Sequence, residues 1–385
     1  MHFTSLFARA LAGAAIVSAH PGHDHEAELA ARGAMLSRFS RRDLSHCAEK
    51  IKARGLHARS VKRRTALAAD LMKEAHLRAR DLDSLLNTTH HSTGCYTIKT
   101  PPSEIFAANN SCILSPEVTE GPYYVAGEYI RRDVVESQKG VNLTLDIQVL
   151  DTETCEPVTG AFLEIWHTNA TGVYSGVAAA GNGNSDVDTS NINATYLRGV
   201  QQTDTDGVVQ FATLFPGHYT GRATHIHVMV HTEATAQANG TLLDTTASHV
   251  GQLFFDQELI GQVETSSPYA TNTQALTTNA EDSILAQEAA TGDPFLEYVL
   301  LGSAIEDGLL GWISFGINST LHREVSAAAT LTEDGGVANS NAEPSGGTGG
   351  PPPTGGFPSA PGSTGGFPGA PGSTGVPTAT ATAPV

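Results

Sequence analysis

The stretch Pro216-Gly217-His218-Tyr219-Thr220-Gly221-Arg222-Ala223-Thr224-His225-Ile226-His227 runs on into Val228-Met229-Val230-His231. Its second half sets histidine at alternate places in an apolar run, the period of a β-strand. On a strand, His225 and His227 leave the same face, so two neutral nitrogen donors converge on one point. His231 shares that face if the strand continues, but nothing matches it to a ligand, and a supporting or surface role is expected. An HxH pair serves zinc, copper and iron sites alike, and such pairs arise readily by chance in a chain holding 16 histidines.

Further strands are predicted outward from this one. Residues 141–150 alternate, with Leu143, Leu145, Ile147 and Val149 on one face, and 161–167, 208–214 and 252–255 read as strands too. Asp204-Thr205-Asp206-Gly207 is a turn feeding one of them. Short strands at this spacing predict a mainly β protein with a β-sandwich domain over residues 103–332. The Gly/Ala/Asn/Ser-rich insert at 178–193 is expected to be a surface loop beside the site.

The flanks differ in texture. Residues 1–19 read as a secretory signal, with Arg9, an apolar stretch and Val17-Ser18-Ala19 as cleavage site, which predicts a secreted chain beginning at His20. The run His20-Pro21-Gly22-His23-Asp24-His25 has some affinity for divalent metal, but a flexible end is the expected reading. Residues 20–102 form an N-terminal helical segment, with helices over 43–53 and 61–85 and a break at Gly55. Residues 333–385 are Gly/Pro-rich and nearly repeat a ten-residue unit, so a disordered tail is expected. No later run is long and apolar enough for a membrane span.

The formal net charge of −18 conceals an asymmetry. Residues 20–80 hold 14 Lys/Arg against 7 Asp/Glu, and residues 81–385 hold 7 against 33. An acidic main region argues against nucleic-acid and anionic-membrane partners. The basic stretch reads as a solvated helical face, and its pairs Arg41-Arg42 and Arg63-Arg64 double as candidate processing sites. Seven NxS/T sequons, at Asn87, Asn109, Asn142, Asn169, Asn193, Asn239 and Asn318, fit a glycosylating pathway. Four cysteines suit two disulfides in an oxidising compartment, with Cys47–Cys95 and Cys112–Cys155 the expected choice among three pairings.

A second tyrosine, Tyr174, narrows the metal. Phenolate is a hard anionic ligand that suits the ferric state, whereas zinc prefers His, Cys and carboxylate. Two Tyr and two His therefore point to Fe(III). A zinc or copper hydrolase built on the HxH lacks a third His or a carboxylate at a convincing spacing.

Ordered motifs then carry a resemblance. Glu120-Gly121-Pro122-Tyr123-Tyr124, Pro157-Val158-Thr159-Gly160-Ala161, Glu164-Ile165-Trp166-His167-Thr168-Asn169, Gly172-Val173-Tyr174-Ser175, Leu197-Arg198-Gly199-Val200-Gln201, the opening stretch and His249-Val250-Gly251-Gln252 together resemble the intradiol ring-cleavage dioxygenases, the secreted fungal branch in particular. The resemblance implies Tyr174, Tyr219, His225 and His227 as iron ligands, with Tyr219 the one released when substrate binds. It implies that Arg222 stabilises charge building on the ring, and that Tyr123, Arg222 and Gln252 line the substrate pocket. The partners implied are a small aromatic diol and O2, and the products muconic acids. His218 stands where secreted relatives carry an aromatic residue, which is expected to alter the pocket wall or the hydrogen bonding of Tyr219. A glycan at Asn169 would crowd the site mouth. Related bacterial enzymes pair through helices that the N-terminal segment does not match, so a homodimer stays open. The alternative reading is a non-catalytic β-sandwich binding or cell-wall protein that retains the fold.

Overall fold

The computed structural model describes residues 44–75, 111–113, 121–178, 184, 188–289 and 293–339. The signal, the N-terminal histidines, Arg41-Arg42, the sequons at Asn87 and Asn109, Cys95 and the tail from residue 340 on lie outside them; residues 333–339, expected to open a disordered tail, instead carry the strand Gly335–Ala338, paired with Ala329–Thr332.

Two sheets face each other. The first holds β1 (Ser111–Ile113), β2 (Asn142–Asp151), β5 (Val208–Leu214), β8 (Glu297–Leu300) and β9 (Leu309–Ile317). In it β9 runs parallel to β2, which pairs antiparallel with β5, while β1 and β8 both pair with β9. The second is antiparallel, in the order β7-β6-β3-β4, from β3 (Phe162–Trp166), β4 (Arg198–Gln202), β6 (His225–His231) and β7 (His249–Phe254). Leu143, Leu145, Ile147 and Val149 of β2 share one buried core with Leu163, Ile165, Ile226, Val228 and Val230. The β-sandwich expected from alternation is what forms, and each fully enclosed aliphatic side chain contributes about 1.5–3 kcal/mol.

The alternation of β6 decides where the chemistry goes. Ile226, Val228 and Val230 enter the core, which puts His225, His227 and His231 on the outer face of the second sheet. That face is covered by a second cluster that includes Tyr123, Tyr124, Trp166, Tyr174, Tyr219 and Val250.

The opposite outer face, on the first sheet, is covered by the N-terminal helices α1 (Ala48–Ala53) and α2 (Leu56–Glu74). Here the structure corrects several expectations. The second helix begins at Leu56, right after the Gly55 turn, and ends at Glu74. Its basic residues divide: Arg59, Lys62 and Lys73 are exposed, as a solvated face requires, whereas Arg63 and Arg64 turn inward. Arg63 donates to Asp146 through Nε (2.8 Å) and Nη2 (2.9 Å), and Arg64 through Nε (3.0 Å). Asp146 is fully buried on β2, Arg64 is nearly so, and Ser60 meets Gln148 on the same strand. Lys50 and Arg54 pair with Glu156, and Arg59 with Asp206. Part of the charge asymmetry of the sequence therefore serves docking between helix and sheet, with Arg64 buried and Arg63 half-buried in that interface rather than displayed for cleavage.

A disulfide joins Cys47 to Cys155, residues 108 apart in sequence, and excludes both expected pairings. The reason is tertiary. Docking brings Leu44, Cys47, Ile51 and Leu56 onto Leu150 and Cys155 at the end of β2, so proximity in space overrides proximity in sequence. The bridge fits an oxidising compartment. Among the described residues no helix is long and apolar enough to cross a membrane.

Candidate metal centre

Four side chains from three segments meet on the outer face of β6. His225 Nε2 lies 3.1 Å from His227 Nε2, 3.4 Å from Tyr174 Oη and 3.3 Å from Tyr219 Oη. All four residues are buried. The ligands predicted from sequence are thus brought to one point.

Local structure explains how each arrives. His225 and His227 come from alternate places on β6, and Trp166, across from His227 on β3, stacks on its ring at 4.6 Å and 5°. Tyr174 sits on the loop after β3, where Asn184 brackets its backbone by accepting from its N–H (3.0 Å) and donating to its carbonyl (2.8 Å). Asn191 also donates to that carbonyl at 2.8 Å, so the insert predicted as a surface loop holds a ligand in place. The loops bearing Tyr174 and Tyr219 touch backbone to backbone. A Cβ at Gly172 would lie 2.2 Å from the His218 carbonyl oxygen, and one at Gly217 would lie 2.4 Å from that of Asn169. Gly221, at φ +95, makes the tight turn that sets Tyr219 beside Arg222.

The donor set fits a ferric ion. His225 Nδ1 donates to the Ala223 carbonyl (2.6 Å), which fixes the proton on Nδ1 and leaves the Nε2 lone pair aimed at the other three donors. Burial holds both phenols above their ordinary pKa; Tyr174 raises Tyr219 further, while the hydrogen bond between them lowers Tyr174 without offsetting its burial. Burial, Arg222 and His227 all push the His225 imidazole toward its neutral form. Without a cation, His225 is therefore a neutral imidazole and both phenols keep their protons. Ionising the phenols requires a hard, highly charged cation at the point of convergence, and its binding releases protons.

The substrate side is equally ordered. The Tyr123 ring stacks on Tyr174 at 4.4 Å and 11° and meets Tyr219 edge-on at 6.4 Å. Arg222 donates through Nη2 to Gln252 Oε1, and Gln252 lies opposite His227 in the β6–β7 register. Arg222 Nε donates to Asp282 Oδ2 at 3.0 Å. Asp282 was missed by sequence reasoning. Its place before Ser283-Ile284-Leu285 has the look of a helix cap, but nothing local links it to Arg222.

Three other histidines separate from the centre. His218 accepts or donates at Glu264 (2.8 Å) and the Gln274 carbonyl (2.9 Å), so its ring points away and forms neither pocket wall nor a partner of Tyr219. His167 is a buried structural histidine bonded to Thr168 O and Thr213 Oγ1, and burial lowers its pKa to about 4. Asn169, the sequon residue nearest the site, turns its Oδ1 inward to Thr171 and Val173.

His231 belongs to a buried ionic group beside the centre. Its Nδ1 donates to Thr246 O (2.7 Å) and lies 3.3 Å from Asp244, and its Nε2 lies 3.4 Å from Glu164. Burial lowers its pKa, but the bonds to Asp244 and Glu164 outweigh burial and raise it to about 9. The partners differ: Asp244 is held low by His231, whereas burial keeps Glu164 high, so Asp244 is the main counter-charge. A folded pKa above the unfolded 6.5 gives stability that is complete below that pH and is lost as pH rises through about 9. We expect the melting temperature to fall over this window, by the equivalent of roughly 3 kcal/mol. A thermal scan of His231→Asn against pH is expected to show a flatter profile.

A family model described as Dioxygenase matches residues 119–257, the span that holds every predicted ligand and pocket residue. Over 143 residues, 31% of this chain, the sequence is 28% identical to catechol 1,2-dioxygenase 1 of Acinetobacter lwoffii, and the match covers 43% of that protein. The chain thus spans less than half the length of the curated relatives it matches. A solved intradiol ring-cleavage dioxygenase from Tetranychus urticae is 32% identical, with 55% of this chain and 97% of that one covered, at a TM-score of 0.44. The dioxygenase domain of a carbohydrate-binding fusion protein from Streptomyces sp. SirexAA-E is 25% identical, covering 55% of this chain and 98% of that one, at a TM-score of 0.33. The chain belongs to the intradiol ring-cleavage dioxygenase family.

Proposed function

We propose that the protein is a secreted, non-haem iron(III) dioxygenase that opens catechol-type rings between their two hydroxyls. The observation that carries this reading is the convergence of two tyrosine oxygens and two histidine nitrogens on one buried point, with Arg222 and Gln252 beside it. Tyr174, Tyr219, His225 and His227 would hold the ion. Bound iron(III) supplies Lewis acidity toward both catechol oxygens and draws electron density from the ring.

The chain's own residues supply the rest. Tyr219, on its short glycine-bounded turn, is the ligand expected to leave, and its phenolate oxygen accepts a proton from the entering catechol. Tyr174 is braced by Asn184, Asn191 and the stacked Tyr123 ring and stays in place. Arg222, buried and held on both sides, stabilises negative charge that builds on the ring in a site of low dielectric. One catechol and one O2 give one cis,cis-muconic acid, with both oxygen atoms retained and the bond between the hydroxyl-bearing carbons broken. Secretion is supported by the signal-like residues 1–19 together with the Cys47–Cys155 disulfide.

The iron-loaded protein is expected to show a visible tyrosinate-to-iron(III) charge-transfer band. Tyr219→Phe is expected to weaken the band and to lower kcat by about 100-fold or more. A colourless protein from iron-replete expression would count against the proposal.

A further inference from the structure

Asp282 lies beyond the span matched by the family model, at the start of α3 (Ser283–Ala289), and is 2% exposed. Its Oδ1 accepts the N–H groups of Ile284 (2.8 Å) and Leu285 (3.1 Å), which is all that a helix cap requires. Its Oδ2 faces the other way, accepting from Arg222 Nε at 3.0 Å and from the Ala223 N–H at 2.8 Å. Ala223, held by its N–H in this way, presents its own carbonyl, on the following peptide unit, to His225 Nδ1. A single carboxylate therefore reaches two functional groups by separate routes: the arginine directly, and a histidine of the centre across the backbone of one residue.

We infer that Asp282 is a positioning residue of the centre. It fixes the Arg222 guanidinium toward the substrate side and, through the Ala223 peptide, keeps His225 in the tautomer whose Nε2 faces the other donors. This rests on the function proposed above for Arg222 and His225. Groups that orient ligands from behind are typically worth 10- to 100-fold in metal affinity or activity.

Asp282→Asn separates the two roles. Asparagine caps a helix as well as aspartate does, so α3 is retained, but its amide turns an N–H toward the N–H groups of Arg222 and Ala223. The variant is expected to bind iron about 10-fold more weakly by chelator competition and to exchange backbone hydrogens in residues 222–226 at least about 10-fold faster. Its kcat with catechol is expected to drop about 10- to 100-fold while KM moves by less than about threefold. On an Arg222→Gln background, Asp282→Asn is expected to cost less kcat than it does alone, because the arginine route is already gone and only the route through Ala223 to His225 is left. Wild-type iron affinity and kcat in Asp282→Asn would overturn the inference, and so would full additivity with Arg222→Gln. A wild-type protein that takes up iron yet consumes no O2 with catechols would overturn the proposed function alone, leaving iron affinity and hydrogen exchange to decide Asp282.

Discussion

A chain with alanine at His227 will purify with little iron, without colour and without ring-cleaving activity. His227 Nε2 and His225 Nε2 stand 3.1 Å apart and both tyrosine oxygens lie within 3.4 Å of His225 Nε2, so removing one imidazole takes away a quarter of the donor set. Residues that merely orient a ligand are worth 10- to 100-fold, and loss of the ligand itself is expected to reach about a thousandfold in affinity. The fold should tolerate the change, because His227 lies on the outer face of β6 and the core is built by Ile226 and Val228 on the other. His227→Gln, which fills the same space without an imidazole, separates loss of donor from loss of packing. Metal analysis with circular dichroism of both variants provides the check, and native iron content in either would be at odds with the site.

The largest stability effect is expected at the opposite face. Asp146 is enclosed between β2 and α2 and accepts hydrogen bonds from Arg63, Arg64 and Gln210. Burial works against its charge, but the arginines outweigh burial and hold its carboxyl below the usual range. The arginines diverge: Arg63, partly exposed, gains from the contact, while burial lowers Arg64 despite it. The pair is therefore a specificity device more than a source of net stability, and its removal one side at a time is where the energy appears. Asp146→Ala leaves the Arg64 guanidinium buried over Trp312 with its main counter-charge gone, at a cost of about 3–5 kcal/mol. Asp146→Leu combined with Arg64→Leu is expected to recover much of that loss, because no lone buried charge remains. Denaturant titration of the single and double variants measures both.

What the sequence could reveal divides along a physical line. Period-two patterns report on a strand with two different faces, so β2, β5 and β6 were legible, as was the shared face of His225 and His227. β9 was not. Leu309–Ile317 is buried along its whole length, between the core and helix α2, and a continuous apolar run carries no period. The metal ligands were legible because Tyr174, Tyr219 and the histidine pair lie in ordered motifs, each placed by its own neighbours. The docking of α2 was not, since arginines on a helix look alike whether they face water or Asp146. Cys47–Cys155 and Asp282–Arg222 were hidden for a related reason: each joins segments that meet only after the sheets have formed.

The central claim is that the Tyr174, Tyr219, His225 and His227 cluster directs cleavage between the two hydroxyls. Incubation of the iron-loaded protein with catechol under 18O2, followed by mass spectrometry of the product, tests it most directly. The account predicts cis,cis-muconic acid carrying two labelled oxygen atoms, one in each carboxyl group. A yellow semialdehyde from cleavage outside the diol, or no consumption of catechol by protein that holds its iron, would contradict it.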